Sequence, residues 1–164
     1  MTEIEGKALK YGDNINTDII SPPQYMELSI AEAARYAMSA VDPDFAKRAD
    51  KGSIFVAEKN LGSGSSRETS PLTLKHLGIG AVVAESFARI FYRNCINVGL
   101  PALTCPDAGR ISDGDSLAID LTQGIIENRT REERYDCDIL PGHILDIIAA
   151  GGLFEHLKKR EKRT

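Results

Sequence analysis

Residues 53–84 read SIFVAEKNLGSGSSRETSPLTLKHLGIGAVVA, and this stretch decides the fold. Ser53–Glu58 is rich in strand formers, with Ile54, Phe55 and Val56 in succession, and predicts a strand. Ala81–Ala84 is short and wholly apolar, the pattern of a central strand buried on both faces. Between the two lie a Gly/Ser loop and a helical segment reaching about Leu77. Pro71 fits the first turn of that helix, where a missing N–H costs little, and Gly78 and Gly80 close it. Strand, helix, strand in that order implies parallel pairing through a right-handed crossover, hence an α/β fold.

On the amino side, residues 4–11 predict a first short strand. The loop YGDNINTDIISPPQY follows, dense in Asp, Asn, Ser and Pro. Ser29 fits the N-cap of a helix whose apolar stripe is Ile30, Ala33, Ala34, Ala37, Met38 and Val41, ending before Pro43. On the carboxyl side, Phe87, Ile90, Phe91, Cys95 and Val98 mark another amphipathic helix, stopped by Gly99 and Pro101. Ser116–Leu121, Ile125–Arg129 and Glu133–Ile139 predict short antiparallel strands, the first two joined at Thr122-Gln123-Gly124. A Pro141–Ala150 helix comes next, and Gly151-Gly152 separates it from a terminal helix. The basic run Lys158–Arg163 reads as a solvated helix end within a flexible tail at about 158–164. The expected architecture is one domain over 1–164, a mixed sheet with helices packed on it.

Composition narrows the function. A net charge of −4 and a pI near 5.4 argue against nucleic acid as the main partner. No apolar run approaches the ~18 residues of a membrane span. The opening MTEIEGKALKYGD lacks the apolar core of a signal peptide, which leads to a cytoplasmic location. The three cysteines, Cys95, Cys105 and Cys137, are widely spaced, with no CxxC or His/Cys ligand pattern, so no metal is expected in this chain.

The chemically informative segment is Gly62-Ser63-Gly64-Ser65-Ser66-Arg67-Glu68, which joins a buried strand to a helix N-terminus. Its glycines allow a sharp turn, and successive amides with a helix dipole favour an anion. Arg67 adds a fork suited to a carboxylate. Two readings stand side by side: a carboxylate or phosphate cradle, or a plain turn with an N-capping serine. The loop is not a P-loop, a dinucleotide fingerprint or a nucleophile elbow. His76, His143 and His156 are the only histidines, and His76 lies about three helical turns past the loop, roughly 15 Å at 1.5 Å per residue. A serine acting here as a base acts without histidine and needs Arg67, the amides and exclusion of water. Asp18, in the turn Asn16-Thr17-Asp18-Ile19-Ile20-Ser21-Pro22, reads either as an Asx-turn residue or as a partner that orients Arg67.

Three motifs together carry a family resemblance: G-D-x-x-x-T-D-I-I at Gly12–Ile20, N-x-G-x-G-S-S-R-E at Asn60–Glu68, and A-E-S-F-A-R-I-F-Y-R-N at Ala84–Asn94. In order and spacing the chain resembles the small subunits of 3-isopropylmalate dehydratase, from about Gly6 to Leu157, and is similar to the swivel domain of the aconitase superfamily. The resemblance implies an aconitase-type swivelling β/β/α domain. It implies a separate large subunit carrying a four-iron–four-sulfur cluster, joined in a heterodimer or heterotetramer, with a homo-oligomer possible for the isolated chain. The substrate would be a small dicarboxylic hydroxy acid, dehydrated and rehydrated in leucine biosynthesis. By position Ser65 matches the catalytic base, Ser66 and Arg67 the carboxylate ligands, and Asp18 an active-site aspartate. The loop that varies with substrate falls on Tyr25, Met26, Glu27 and Leu28. Homoaconitase-type subunits carry an arginine where this chain has Glu27. Departures are small: Thr69-Ser70 follow Glu68 in place of the usual His or Gln and alanine, and Ser63 replaces a common cysteine. Related dehydratases of citramalate, dimethylmalate or homoaconitate, and a non-catalytic carboxylate-binding module, are the alternatives.

Overall fold

The computed structural model describes residues 2–162. Strand β1 (Glu3–Lys10) is its axis, because its two halves pair with different partners. Ala8–Lys10 run parallel to β2 (Ile54–Val56). The earlier residues run antiparallel to β5 (Ser116–Asp120), from Glu3 against Asp120 to Lys7 against Ser116. Strands β3 (Ala81–Ala84) and β4 (Ala102–Thr104) extend the parallel side; β6 (Ile125–Asn128) and β7 (Glu133–Asp136) extend the antiparallel side. The spatial order is β4-β3-β2-β1-β5-β6-β7.

Successive side chains of a strand face opposite ways, so each parallel strand serves two cores. Leu9, Phe55, Val82 and Ala84 pack with Leu74, Phe91 and Cys95 from helices. Ala8, Ile54, Val56 and Val83 pack instead with Leu117, Ile119, Ile126 and Tyr135 of the antiparallel strands. Those strands reach the parallel half only if the sheet curls. The antiparallel half therefore covers one face, helices cover the other, and the layers are β, β and α, as expected. Helices α1 (Thr17–Ile20), α2 (Ile30–Ala33) and α3 (Phe45–Arg48) are single turns between β1 and β2; α4 (Thr69–His76) links β2 to β3, and α5 (Arg89–Asn97) links β3 to β4. Helices α6 (Gly142–Ala150) and α7 (Leu153–Lys162) follow the antiparallel strands. Lys75 Nζ bonds the carbonyls of Val98 at 2.6 Å and Gly151 at 2.8 Å, capping the ends of α5 and α6 with one cation.

Several expectations need correction. The stripe at 30–41 does not form one helix. Ser29 caps a single turn, Ile30–Ala33, followed by a 3₁₀ turn at Ala34–Tyr36. Met38 then takes a positive φ of 61°, and its amide bonds Ile20 O at 3.1 Å. That long-range bond turns the chain, burying Met38 fully while Val41 is 51 % exposed. Strand β4 and the short helices at Thr17–Ile20 and Phe45–Arg48 were not anticipated. The helix expected from Phe87 starts at Arg89, because Phe87 forms a parallel bridge with Leu61. The basic run read as a solvated helix end lies on the last helix, Leu153–Lys162, and residues 163–164 of the expected tail lie outside the described range.

Candidate active site

Loops after adjacent parallel strands converge at the carboxyl edge of the sheet, where α/β sheets place their sites. Backbone bonds lock them together: Gly62 N to Ile15 O at 2.8 Å, Thr17 N to Ser63 O at 2.9 Å, and Leu61 N to Ser86 O at 3.0 Å. Two glycines are required. A Cβ at Gly62 would lie 2.0 Å from the Phe91 ring carbon Cγ, and one at Gly64, whose φ is +112°, would lie 3.0 Å from Thr17 Oγ1.

Inside the loop, Ser65 Oγ accepts two bonds from Arg67, one from the backbone N–H at 3.2 Å and one from Nε at 3.1 Å. Arg67 Nη1 donates to Met26 Sδ at 2.7 Å. The cleft at this point is lined by Thr17, Asp18, Met26, Ser65, Arg67 and Thr69 among others. Its volume is about 20 Å³, room for about one water. One chain thus presents a wall of a site rather than an enclosure for a dicarboxylate.

The residues singled out from sequence divide as follows. Asp18, Met26, Ser65 and Arg67 meet at the cleft. Asp18 sits in the first turn of Thr17–Ile20, capped by Asn16 Oδ1, which accepts from Ile19 N at 2.9 Å. It does not pair with Arg67; among the described residues, Ser65 and Met26 hold that guanidinium instead. Ser66 is exposed, and its carbonyl accepts from Asn94 Nδ2 of α5 at 2.8 Å. Tyr25 stacks on Tyr36 with centroids 3.9 Å apart, while Glu27 and Leu28 face solvent.

The expected amide cradle is partly closed from within. Ser65 N donates to Thr17 Oγ1 at 2.9 Å, and Arg67 N donates to Ser65. Thr17 stands in the Gly12–Ile20 motif, where the sequence reading gives it no role; in the structure its amide, hydroxyl and carbonyl all bond within this region.

The three thiols do not suit an iron–sulfur cluster. Cys95 belongs to the helix-side core and Cys105 to the opposite one. Burial pushes the Cys95 thiol well up, Cys105 up to about 11 and Cys137 up to about 12, so all three stay protonated. Among the described residues, no three His, Cys, Asp or Glu side chains gather as metal ligands, and no helix is long and apolar enough to cross a membrane.

A curled mixed sheet with a Ser-Ser-Arg loop at its carboxyl edge defines an α/β domain of the aconitase C-terminal type, and the family called Aconitase C-terminal domain matches residues 5–108. The 3-isopropylmalate dehydratase small subunit of Halothermothrix orenii is 49 % identical over 158 residues, covering 95 % of this chain and 96 % of its own. That of Methanosarcina mazei is 45 % identical over 157 residues, covering 95 % and 97 %. The isopropylmalate/citramalate isomerase small subunit of Methanocaldococcus jannaschii is 46 % identical over 159 residues, covering 96 % and 95 %. The crystal structure of 3-isopropylmalate dehydratase from the same organism superposes with a TM-score of 0.92 at 42 % identity, covering 97 % of this chain and 95 % of that one. The chain belongs to the family of 3-isopropylmalate dehydratase small subunits.

Proposed function

We propose that this chain supplies the base and carboxylate clamp of a hydro-lyase that interconverts 2- and 3-isopropylmalate in leucine biosynthesis. The observation that carries the proposal is the double donation from Arg67 to Ser65 Oγ. Two donors, one cationic, favour the ionised form of that oxygen before it accepts a proton, which is what a serine base needs. Ser65 Oγ, ionised to the alkoxide, takes the proton from the carbon alpha to a carboxylate and, as the hydroxyl, passes that proton to the departing hydroxide, which restores the alkoxide. The electron pair left behind forms the C=C bond as hydroxide leaves from the neighbouring carbon. Proton and hydroxide together make one water. Rehydration with the two positions exchanged gives the isomer.

Arg67 grips a substrate carboxylate once Met26 sulfur gives up Nη1, and Thr69, the first residue of α4, lines the same cleft. A wall this shallow needs a second wall, and we assign that to a large subunit, in line with the small-subunit names of the relatives. The four-iron–four-sulfur cluster expected of such an enzyme we assign to the large subunit as well, and the complex to the cytoplasm.

A second reading has one observation behind it. The name of the M. jannaschii relative couples isopropylmalate with citramalate, which differs in bearing a methyl in place of the isopropyl group. The test is co-expression with the cognate large subunit and an assay on isopropylmalate, citramalate, dimethylmalate and homoaconitate. Highest kcat/KM on isopropylmalate supports the proposal. Highest kcat/KM on citramalate supports the second reading, and turnover of none of the four would leave a binding module.

A further inference from the structure

We infer that Thr17 is a positioning residue for the base: its buried hydroxyl holds the Ser65 backbone in register with Arg67 and the cleft. The inference rests on the serine-base reading above and adds to it a residue outside the Ser-Ser-Arg run.

Thr17 is 4 % exposed and uses every polar atom it has. Its N–H donates to Ser63 O at 2.9 Å, and its carbonyl accepts from Ser21 N at 2.8 Å and from Ser70 Oγ at 3.2 Å. Its Oγ1 accepts from Ser65 N at 2.9 Å. One residue therefore ties the turn at 16–21, the loop at 62–68 and the first turn of α4. Of the four bonds, the one made by the side chain is the one that ends on the proposed base.

The loop is shaped for that bond. Gly64 has φ +112°, and a Cβ there would lie 3.0 Å from Thr17 Oγ1. Only glycine lets the chain pass the hydroxyl and present the next amide to it. Ser65 lies in a loop, and nothing covalent near it fixes where Oγ points. With the amide pinned to Thr17 and Oγ receiving both Arg67 donors, backbone and side chain are held from opposite ends. A proton transfer depends on such placement, and a misplacement of about 1 Å costs about 100-fold in rate. Thr17 touches no reacting atom in this scheme, and Asp18 beside it does not take over the contact.

The test uses the enzyme assembled with its large subunit and compares Thr17→Val, Thr17→Ser, Gly64→Ala and Ser65→Ala. Valine keeps the shape and all three backbone bonds of residue 17 and removes only the acceptor; serine restores it. We expect Thr17→Val to lose about 10- to 100-fold in kcat, with KM within about threefold because Arg67 is untouched. Thr17→Ser should recover most of that loss, and Ser65→Ala should be lower than either. Thr17→Val at wild-type kcat beside an inactive Ser65→Ala would overturn the positioning role and leave the serine base standing. Ser65→Ala at wild-type kcat would overturn both. Thr17→Ser as impaired as Thr17→Val would show that the site needs the methyl and not the hydroxyl, which also overturns the inference. Should Thr17→Val fail to fold, Gly64→Ala decides, since it pushes the same amide away from the opposite side. A kcat loss with KM held supports the role, and full turnover contradicts it.

Discussion

Arg67 donates twice to Ser65, from its backbone N–H at 3.2 Å and from Nε at 3.1 Å, so the two residues form a closed unit two positions apart. The unit links local sequence to chemistry: a turn tight enough for N–H(67) to reach Oγ(65) also folds the guanidinium back over it.

Replacing Arg67 by Lys keeps the charge and loses Nε and the fork. A hydrogen bond to a charged group is worth about 1.5–3 kcal/mol, which converts to about 10–150-fold in kcat/KM at roughly 1.4 kcal/mol per decade. Steady-state kinetics of Arg67→Lys in the assembled enzyme should show a loss of that order. A variant within about twofold of wild type would mean that charge alone suffices.

Asn94 holds the other side of the loop through the Ser66 carbonyl at 2.8 Å and is 8 % exposed. Asn94→Ala removes a partly buried hydrogen bond, at a cost of about 0.5–1.5 kcal/mol. For a chain of this size that lowers Tm by about 2–4 °C per kcal/mol. KM should rise as well, because Ser66 and Arg67 lose their support. An unchanged Tm with an unchanged KM would contradict this.

Met26 is the one residue of the variable loop that reaches the cleft, while Glu27 is exposed. Met26→Ala should reduce the preference for isopropylmalate over citramalate, at about 0.8 kcal/mol per buried CH₂. Glu27→Ala should leave the preference where it is. If instead Glu27→Ala changes the ratio and Met26→Ala does not, the alkyl group lies against Glu27. Glu27→Arg, assayed on homoaconitate, then reports whether charge at that position selects against a third carboxylate.

Acid should weaken the fold through a cluster remote from the cleft. Arg48 bonds both Asp42 and Asp113, and Tyr11 donates to Asp42 at 2.6 Å. Burial alone would raise Asp42, but the bonds from Tyr11 and Arg48 outweigh it and hold the carboxyl below its ordinary value. Burial also opposes ionisation at Asp113, where Arg48 and the Lys10 amide prevail. A depressed carboxyl contributes stability above its unfolded pKa, about 3.9 for Asp, and loses it as pH falls through the lower folded value. Thermal melts of Arg48→Met and wild type should therefore differ most at neutral pH and converge as the pH falls below the ordinary carboxylate range. A constant difference across that range would place the contribution of Arg48 in packing.

Much of this was legible in residues 53–84, where strand, loop, helix and strand are each marked by local signals, and the observed β2, α4 and β3 lie within the expected ranges. Strand β4, Ala102–Thr104, lies between Pro101 and Pro106 and lacks the run of β-branched and aromatic residues that marks β2. The broken helix at 30–41 was illegible for another reason. Its turn depends on a bond from Met38 to Ile20, and local periodicity contains no such information. The site divides the same way. Ser65 and Arg67 lie in one short motif, whereas Thr17 meets Ser65 across 48 positions and is visible only once the sheet has brought the loops together. Pairing of Asp18 with Arg67 failed as an expectation because Met26 and Ser65 occupy the guanidinium first.

The central claim is that Ser65 Oγ moves the proton, and kcat of Ser65→Ala in the enzyme assembled with its large subunit tests it most directly. Among the described residues no histidine lines the cleft, and His76 lies at the far end of α4. With the base removed and Arg67 retained, kcat for isopropylmalate should fall by about 10²–10⁴-fold, the range of positioned acid–base catalysis, while KM moves far less. Turnover of Ser65→Ala at the wild-type rate would contradict it.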